Sequence, residues 1–275
     1  MRFAKWHGAG NDFLLFFPED GPELERRLSG LAPRLCNRRM GLGADGVLLL
    51  IPQAVAELRL LYFNSDGSRA SFCANGSRCA AAYAARRLGL KSLLLVTDFA
   101  PIPATVRGLE VTLELPPVDK VGGWKTLPAE GQVWKAFHLT LGVPHLVVPV
   151  AWEDFWRQPL TPAPMLRRHP LLGPEGANVN FLKVANQQLL LRTFERGVEG
   201  ETLACGSGAV AAAQLALAEG WLTPPVVVRT ASGRVLQVQP LGTTWGPCQL
   251  TGPAEPVAFG EVAPELERTP EELLR

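Results

Sequence analysis

The feature that most constrains this chain is a repeat. "CANGSRCAAAYAARRLGL", from Cys73, and "CGSGAVAAAQLALAEG", from Cys205, each open on a cysteine and carry glycine at the third following position, Gly76 or Gly208. Each then runs through an alanine block, Ala80 to Ala82 or Ala211 to Ala213, and stops at Gly89 or Gly220. Both are preceded by a strand-like run ending in an aromatic residue and a polar turn with glycine, "YFNSDGS" in one case and "TFERGVEG" in the other. Earlier in each half, "WHGAGNDFLLFF" and "LTLGVPHLVVPV" both read as glycine turn, polar residue, strand. Such a pattern is an internal duplication, with the two cysteines 205 − 73 = 132 residues apart.

Strand-like runs dominate the rest. They lie at 13–17, 46–51, 57–63, 92–97, 109–115, 135–141, 145–150, 180–184, 188–194 and 225–230. Helices are fewer: roughly 22–37, a stretch near 151–158, and the two cysteine-led segments. The passage at 116–130, "PPVDKVGGWKTLPAE", has linker composition and divides the copies. The expected fold is therefore α+β with two similar domains, 1–117 and 118–262, and a charged tail, 263–275, that joins the first.

Lys+Arg 27 against Asp+Glu 26 leaves no overall field for nucleic acid or anionic lipid, and no long basic run appears. A nucleic-acid or membrane partner is not expected. Apolar runs fall far short of the ~20 residues needed to span a bilayer, and the N-terminus lacks a secretory pattern, so the location expected is cytoplasmic. Five cysteines are an odd, widely spaced set with no C-x-x-C, which argues against a disulfide framework or a zinc site. For Cys36, Cys79 and Cys248 the expected role is that of a buried small hydrophobe.

Cys73 and Cys205 differ from these three in position. A thiol at a helix N-terminus sits against unpaired N–H groups and the positive end of the helix dipole, which favour the thiolate. The same N–H groups form an anion site, approachable because Gly76, Gly206 and Gly208 lack Cβ atoms. Removing a hydrogen α to a carboxylate builds charge on that carboxylate, and oriented donors must meet it. If one cysteine takes the proton as thiolate and the other returns one to the opposite face, the carbon inverts: racemisation or epimerisation. Around these thiols, Glu195 and Arg196 stand between a strand and a glycine turn, where cleft-lining is expected. His7 and His145 fit a structural hydrogen bond as well as substrate contact, and Asn11, Asn64 and Asn178 fit turn formation as well as binding.

"KWHGAGNDF", "RRMGLGADG", "FNSDGSRASFCANGSRCAAA", "NVNF" and "FERGVEGETLACGSGA" resemble, in order, the signature segments of the diaminopimelate epimerases. The resemblance runs from Met1 to about residue 262. It implies two pseudo-symmetric domains, each a mainly antiparallel sheet wrapped around a central helix. It also implies cofactor-independent interconversion of LL- and meso-diaminopimelate, and a homodimer. Residue by residue, it makes Cys73 and Cys205 the acid–base pair and gives the reacting carboxylate to the amides of Ala74, Asn75, Gly206 and Ser207. Asn11, Asn64, Asn178, Glu195 and Arg196 match positions that bind the amino groups and distal carboxylate, with Arg196 suited to a bidentate grip. His145 matches a histidine near the second cysteine.

Three departures stand out. Val143 replaces an asparagine in a segment that usually reads Gly-Asn-Pro-His, and a valine cannot hydrogen-bond to substrate. Ala74 replaces a glycine, which matters only if that position needs a positive φ. "ERGVEGET" is one residue longer than the commonest form, which loosens the register between Arg196 and Cys205. The alternative within the same chemistry is a two-cysteine racemase of another amino acid. A binding module or a carboxylate-based isomerase would have no use for both cysteines, and a thiol–disulfide oxidoreductase would usually carry C-x-x-C. Cys73 and Cys205 are also expected to oxidise to an inactivating disulfide.

Overall fold

The computed structural model describes residues 1–17 and 21–268; the last part of the charged tail, 269–275, lies outside the described residues. By its internal contacts the chain divides into two compact units, Met1–Leu113 with the chain from Pro253 onward, and Glu114–Gly252.

The first unit opens with a hairpin of β1 (Arg2–Gly8) and β2 (Asn11–Phe16), turned by Ala9 and Gly10 at φ 58 and 95. Helix α1 (Gly21–Leu35) carries the chain to β3 (Gly46–Ala54), parallel to β2, and β4 (Glu57–Asn64) returns antiparallel. A short β5 (Arg69–Ala70) leads into α2 (Ala74–Leu88); then β6 (Ser92–Val96) lies parallel to β4, followed by β7 (Pro101–Arg107) and β8 (Glu110–Leu115).

The second unit repeats this order. After β9 (Lys120–Ala129) come β10 (Gln132–Leu141), β11 (Val143–Pro149), a short α3 (Ala163–Arg167), β12 (Asn178–Ala185) and β13 (Gln188–Glu195). The small β14 (Gly200–Thr202) precedes α4 (Gly206–Ala218), and β15 (Val226–Arg229), β16 (Val235–Pro240) and β17 (Cys248–Pro253) complete the sheet. The pairings correspond one for one: β2 with β3 and β11 with β12 are parallel, as are β4 with β6 and β13 with β15, and the rest are antiparallel. Even the flanking strand has its counterpart, since β9 pairs with β10 as β18 (Glu255–Glu261) pairs with β1. The duplication read from the sequence is thus a duplication of topology, and the fold is the expected pair of pseudo-symmetric α+β units.

In each unit the sheet wraps its central helix. Helix α2 touches β1, β2, β3, β4, β6 and β7, and α4 touches β10, β11, β12, β13, β15 and β16. The alanine blocks make this enclosure close: Ala80, Ala81, Ala211, Ala212 and Ala213 are wholly buried, as a helix apolar on all sides must be. Because α1 covers the outer face of the first sheet, both faces of β2 and β3 are buried. Leu14, Phe16, Val47 and Leu49 pack on Leu28, Leu31 and Leu35 of α1, which explains why these strands read as continuous apolar runs.

Three sequence expectations are corrected. The stretch at 116–130 is largely strand β9, paired with β10 through a bulge, because its glycines and prolines sit at an edge where they are tolerated. No helix forms at 151–158: turns replace it, and the carbonyls of Phe155 and Gln158 accept from the Arg192 guanidinium instead of from a helical ladder. Finally, 253–262 belongs with the first unit and not the second, since β18 pairs with β1 and Val262 enters the core around α1. The following turn, Pro264–Glu267, also packs on α1, where Arg34 donates to the Glu265 carbonyl at 2.8 Å.

Candidate functional site

In the first unit the chain leaves β5 and delivers Cys73 to the N-cap of α2, with extended backbone at φ −144 and ψ 111. Its sulfur accepts from the Gly76 N–H at 3.4 Å and lies 3.8 Å from the Asn11 carbonyl oxygen, Oδ1, which also accepts from the Asn75 amide at 3.2 Å. Asn11 in turn donates to Asp45 at 2.7 Å, and Asn75 accepts from Arg78 at 2.7 Å. Asn64, ending β4, donates to Ser68 at 2.9 Å and closes the turn before the cysteine. Asp45 pairs with Arg38, which also holds Asp12 at 2.7 Å. Burial would raise the Asp12 carboxyl, but hydrogen bonds and charge from Arg38 and Lys5 outweigh it and hold that group below the usual carboxylate range.

The second unit builds the same entry. Cys205 caps α4 at φ −121 and ψ 113 and accepts from the Gly208 N–H at 3.4 Å, the same distance as in the first unit. The Ser207 hydroxyl is a further polar neighbour at 3.6 Å. Behind it lies a buried network: Asn180 meets His145 Nδ1 at 3.2 Å, donates to the Leu146 carbonyl and accepts from Thr193 at 3.0 Å. Burial drives His145 down to about 3, so its ring is neutral at ordinary pH; with Nδ1 facing the Asn180 amide donor, the proton belongs on Nε2, which has no hydrogen-bond partner among the described residues. Asn178 accepts from the Arg196 backbone N–H at 2.8 Å. The Arg196 guanidinium holds Glu175 at 2.7 Å, and Glu195 accepts from Thr202 at 2.6 Å.

An α-helix leaves its first N–H groups without intrahelical acceptors. In both units the third is turned onto the thiol, and Ala74 and Asn75, or Gly206 and Ser207, hold the first two positions. Ala74 is not among the residues of positive φ, so the substitution of glycine there is harmless to the backbone. The longer "ERGVEGET" turn is absorbed locally. The Glu199 N–H closes on the Glu195 carbonyl at 2.8 Å, Gly197 and Glu199 take φ 86 and 54, and Glu195 stays opposite Gly200. The remaining cysteines behave as buried hydrophobes: burial lifts Cys36 to about 12 and Cys248 to about 11, and raises Cys79 further.

Register fixes which residues correspond. Phe13 lies opposite Gly46 as His145 lies opposite Asn178, so Val143 occupies the place of Asn11. Sequence reasoning passed over Arg78, Asp45, Asn180 and Thr193. Arg78 was signalled by being a cation just ahead of the alanine block, away from Arg86 and Arg87 of the last turn, and Asn180 by its i, i+2 spacing from Asn178, which puts both on one face of β12.

Two wrapped α+β units, each enclosing one helix, form a fold that solved structures of low sequence identity share with this chain. A hydroxyproline epimerase from Agrobacterium vitis matches it with a TM-score of 0.69 over 99% of this chain and 94% of its own, at 17% identity. The diaminopimelate epimerase family model matches residues 3–100 and 137–254. The diaminopimelate epimerase of Methanothrix thermoacetophila is 36% identical, covering 98% of both chains, and that of Gemmatimonas aurantiaca is 39% identical over 86% of this chain and 87% of its own. The chain belongs to the diaminopimelate epimerase family.

Proposed function

We propose that this protein is an isomerase that interconverts LL- and meso-diaminopimelate, serving lysine and peptidoglycan precursor synthesis, by proton exchange between two thiols. The observation that carries the mechanism is the matched pair of cysteine N-caps, one per repeat, with the same thiol-to-amide distance in each. One of Cys73 and Cys205 removes the α-hydrogen as thiolate, leaving its electron pair on carbon and the adjacent carboxylate. The other, as thiol, donates its proton to the opposite face. The amides of Ala74, Asn75, Gly206 and Ser207 receive the carboxylate on which charge develops. Asn11, Asn64, Asn178, Glu195 and Arg196 bind the remaining amino groups and the distal carboxylate, for which Arg196 must exchange its exposed partner Glu175. His145 supports the Cys205 side from the buried network, where its Nδ1 meets Asn180.

The chain needs no cofactor for this chemistry in our reading. A homodimer and a cytoplasmic location are carried as part of it; no helix among the described residues is long and apolar enough to cross a membrane. The second reading, epimerisation of a different amino acid, is favoured by one observation: Val143 stands where the first unit has Asn11 and offers no hydrogen bond. Deuterium uptake at the α-carbon in D2O with reductant, across both diaminopimelate isomers and a panel of ordinary amino acids, separates the two. Exchange confined to diaminopimelate is expected, and exchange only with another amino acid overturns the substrate assignment.

A further inference from the structure

Resting on Cys73 as one of the two reacting thiols, we infer that Arg78 and Asp45 are positioning residues that fix the direction of a two-amide relay, so that Asn11 presents its carbonyl oxygen, never its NH2 group, to the Cys73 sulfur and to substrate beside it. The relay runs Arg78 Nη2 to Asn75 Oδ1 at 2.7 Å, Asn75 Nδ2 to Asn11 Oδ1 at 3.2 Å, and Asn11 Nδ2 to Asp45 Oδ2 at 2.7 Å. An asparagine amide is nearly symmetric in shape, and either orientation fits most sites. Its direction is set by what stands at the ends of the chain. Here one end is a guanidinium, which only donates, and the other a carboxylate, which only accepts. With both ends of single character, each amide between them has one arrangement that satisfies every atom, and flipping either one puts donor against donor or acceptor against acceptor.

The environment of Arg78 shows that this end is built for the purpose. Its side chain is wholly buried, and among the described residues no carboxylate pairs with it; besides Asn75 it reaches only the carbonyls of Ala74 and Pro253, at 3.4 and 3.5 Å. A buried cation without an anion is costly. The short contact to Asn75 is its best hydrogen bond, so the orientation of that amide is strongly enforced. The equivalent position five residues after Cys205 is Val210, and the sulfur there faces the rotatable Ser207 hydroxyl, which either donates or accepts. The two thiols therefore differ in kind: Cys73 meets a fixed acceptor, which favours its S–H form and welcomes an ammonium group of substrate, while Cys205 meets an adaptable partner.

The test is the ratio of alkylation rates of Cys73 and Cys205 by iodoacetamide at one pH, read peptide by peptide in the same sample, together with a KM-against-kcat split. Asp45→Asn or Arg78→Met alone leaves one end of the relay to hold the Asn11 amide, and the ratio is expected to stay near that of the parent. In the double variant Asp45→Asn, Arg78→Met both ends are free, a flipped Asn11 offers N–H to sulfur, and Cys73 labelling is expected to rise severalfold relative to Cys205, with KM raised more than kcat is lowered. Should variants of the buried Arg78 fail to fold, Asp45→Lys, which sets a donor against Asn11 at the exposed end, is expected to move the ratio the same way. Arg38→Met breaks the ion pair to Asp45 yet leaves the carboxylate, and the ratio is expected to hold. An unchanged ratio in both the double variant and Asp45→Lys, or an equal shift in Arg38→Met, overturns the inference. Because labelling needs no turnover, this failure is distinct from failure of the catalytic reading, which would appear as undiminished α-hydrogen exchange in Cys73→Ala.

Discussion

The two repeats share a backbone plan and differ in what surrounds the thiol. In the first unit Cys73 is half-buried and its neighbours are a chain of amides held between Arg78 and the exposed Asp45–Arg38 pair. In the second, Cys205 is buried beside the Ser207 hydroxyl, with a network of Asn180, Thr193 and a neutral histidine behind it. The lesson is that duplication conserved what the backbone does, placing a sulfur on a helix N-terminus, while the side chains diverged. A reaction that inverts one carbon needs two groups of matched strength, not of matched surroundings.

Removing either sulfur has the largest expected effect. Cys73→Ala and Cys205→Ala should each lower kcat/KM for epimerisation by roughly a thousandfold or more, measured by chiral chromatography, since neither repeat can substitute for the other. A difference between the repeats shows next in their helix-start glycines. A Cβ at position 208 would lie 2.2 Å from the Asn180 side-chain oxygen, which is locked in the buried network, whereas one at position 76 would meet the methyl ends of Leu48 at 3.3 Å. Gly208→Ala should therefore cost about 2–3 kcal/mol in denaturant unfolding, and Gly76→Ala about 1 kcal/mol or less.

His145 gives the second unit an acid sensitivity that sets in at higher pH than the one Asp12, held below the usual carboxylate range, gives the first. Its folded-state value, about 3, lies below the usual value of about 6.5, so the unfolded chain binds the proton first. The native state is undiminished above pH 6.5 and weakens by about 1.4 kcal/mol per pH unit as pH falls toward 3. His145→Gln should flatten that limb in urea titrations between pH 6 and 4. A smaller effect is expected from Val143→Asn, which restores to the second unit the residue type of its counterpart Asn11: KM for diaminopimelate should fall by roughly threefold to tenfold, about the worth of one hydrogen bond. The smallest concerns equivalent hairpins. The β12–β13 turn forces Asn186 and Gln187 to φ 49 and 59, whereas the β3–β4 turn has no residue of positive φ, so Gln187→Gly should stabilise by about 0.5–1 kcal/mol in thermal melts.

Much of this was legible in the sequence, because the signals were local. The cysteine–glycine–alanine segments announced both central helices, since capping and small-residue packing depend on neighbours three and four positions away. The topological pairing was readable only as a repeat. Strands β1, β7, β9 and β16 to β18 were missed because their alternating or glycine-bearing runs lack the apolar density of strands buried on both faces. The helix expected at 151–158 failed because Arg192, more than thirty residues later, takes the carbonyls. The relay from Arg78 to Asp45 was illegible for the same reason: it joins residues from three separate segments, and no spacing rule connects Asn75 and Arg78 of α2 to Asn11 or Asp45.

In the proposed mechanism the two thiols divide the proton transfers between them. At the first few per cent of conversion of protiated LL-diaminopimelate in D2O with reductant, mass spectrometry of each stereoisomer tests it directly. Deuterium is expected at the α-carbon of the meso product and none in the recovered LL substrate, with the mirror result from the other direction. Equal deuterium in product and recovered substrate would mean that one group handles both transfers, and would contradict it.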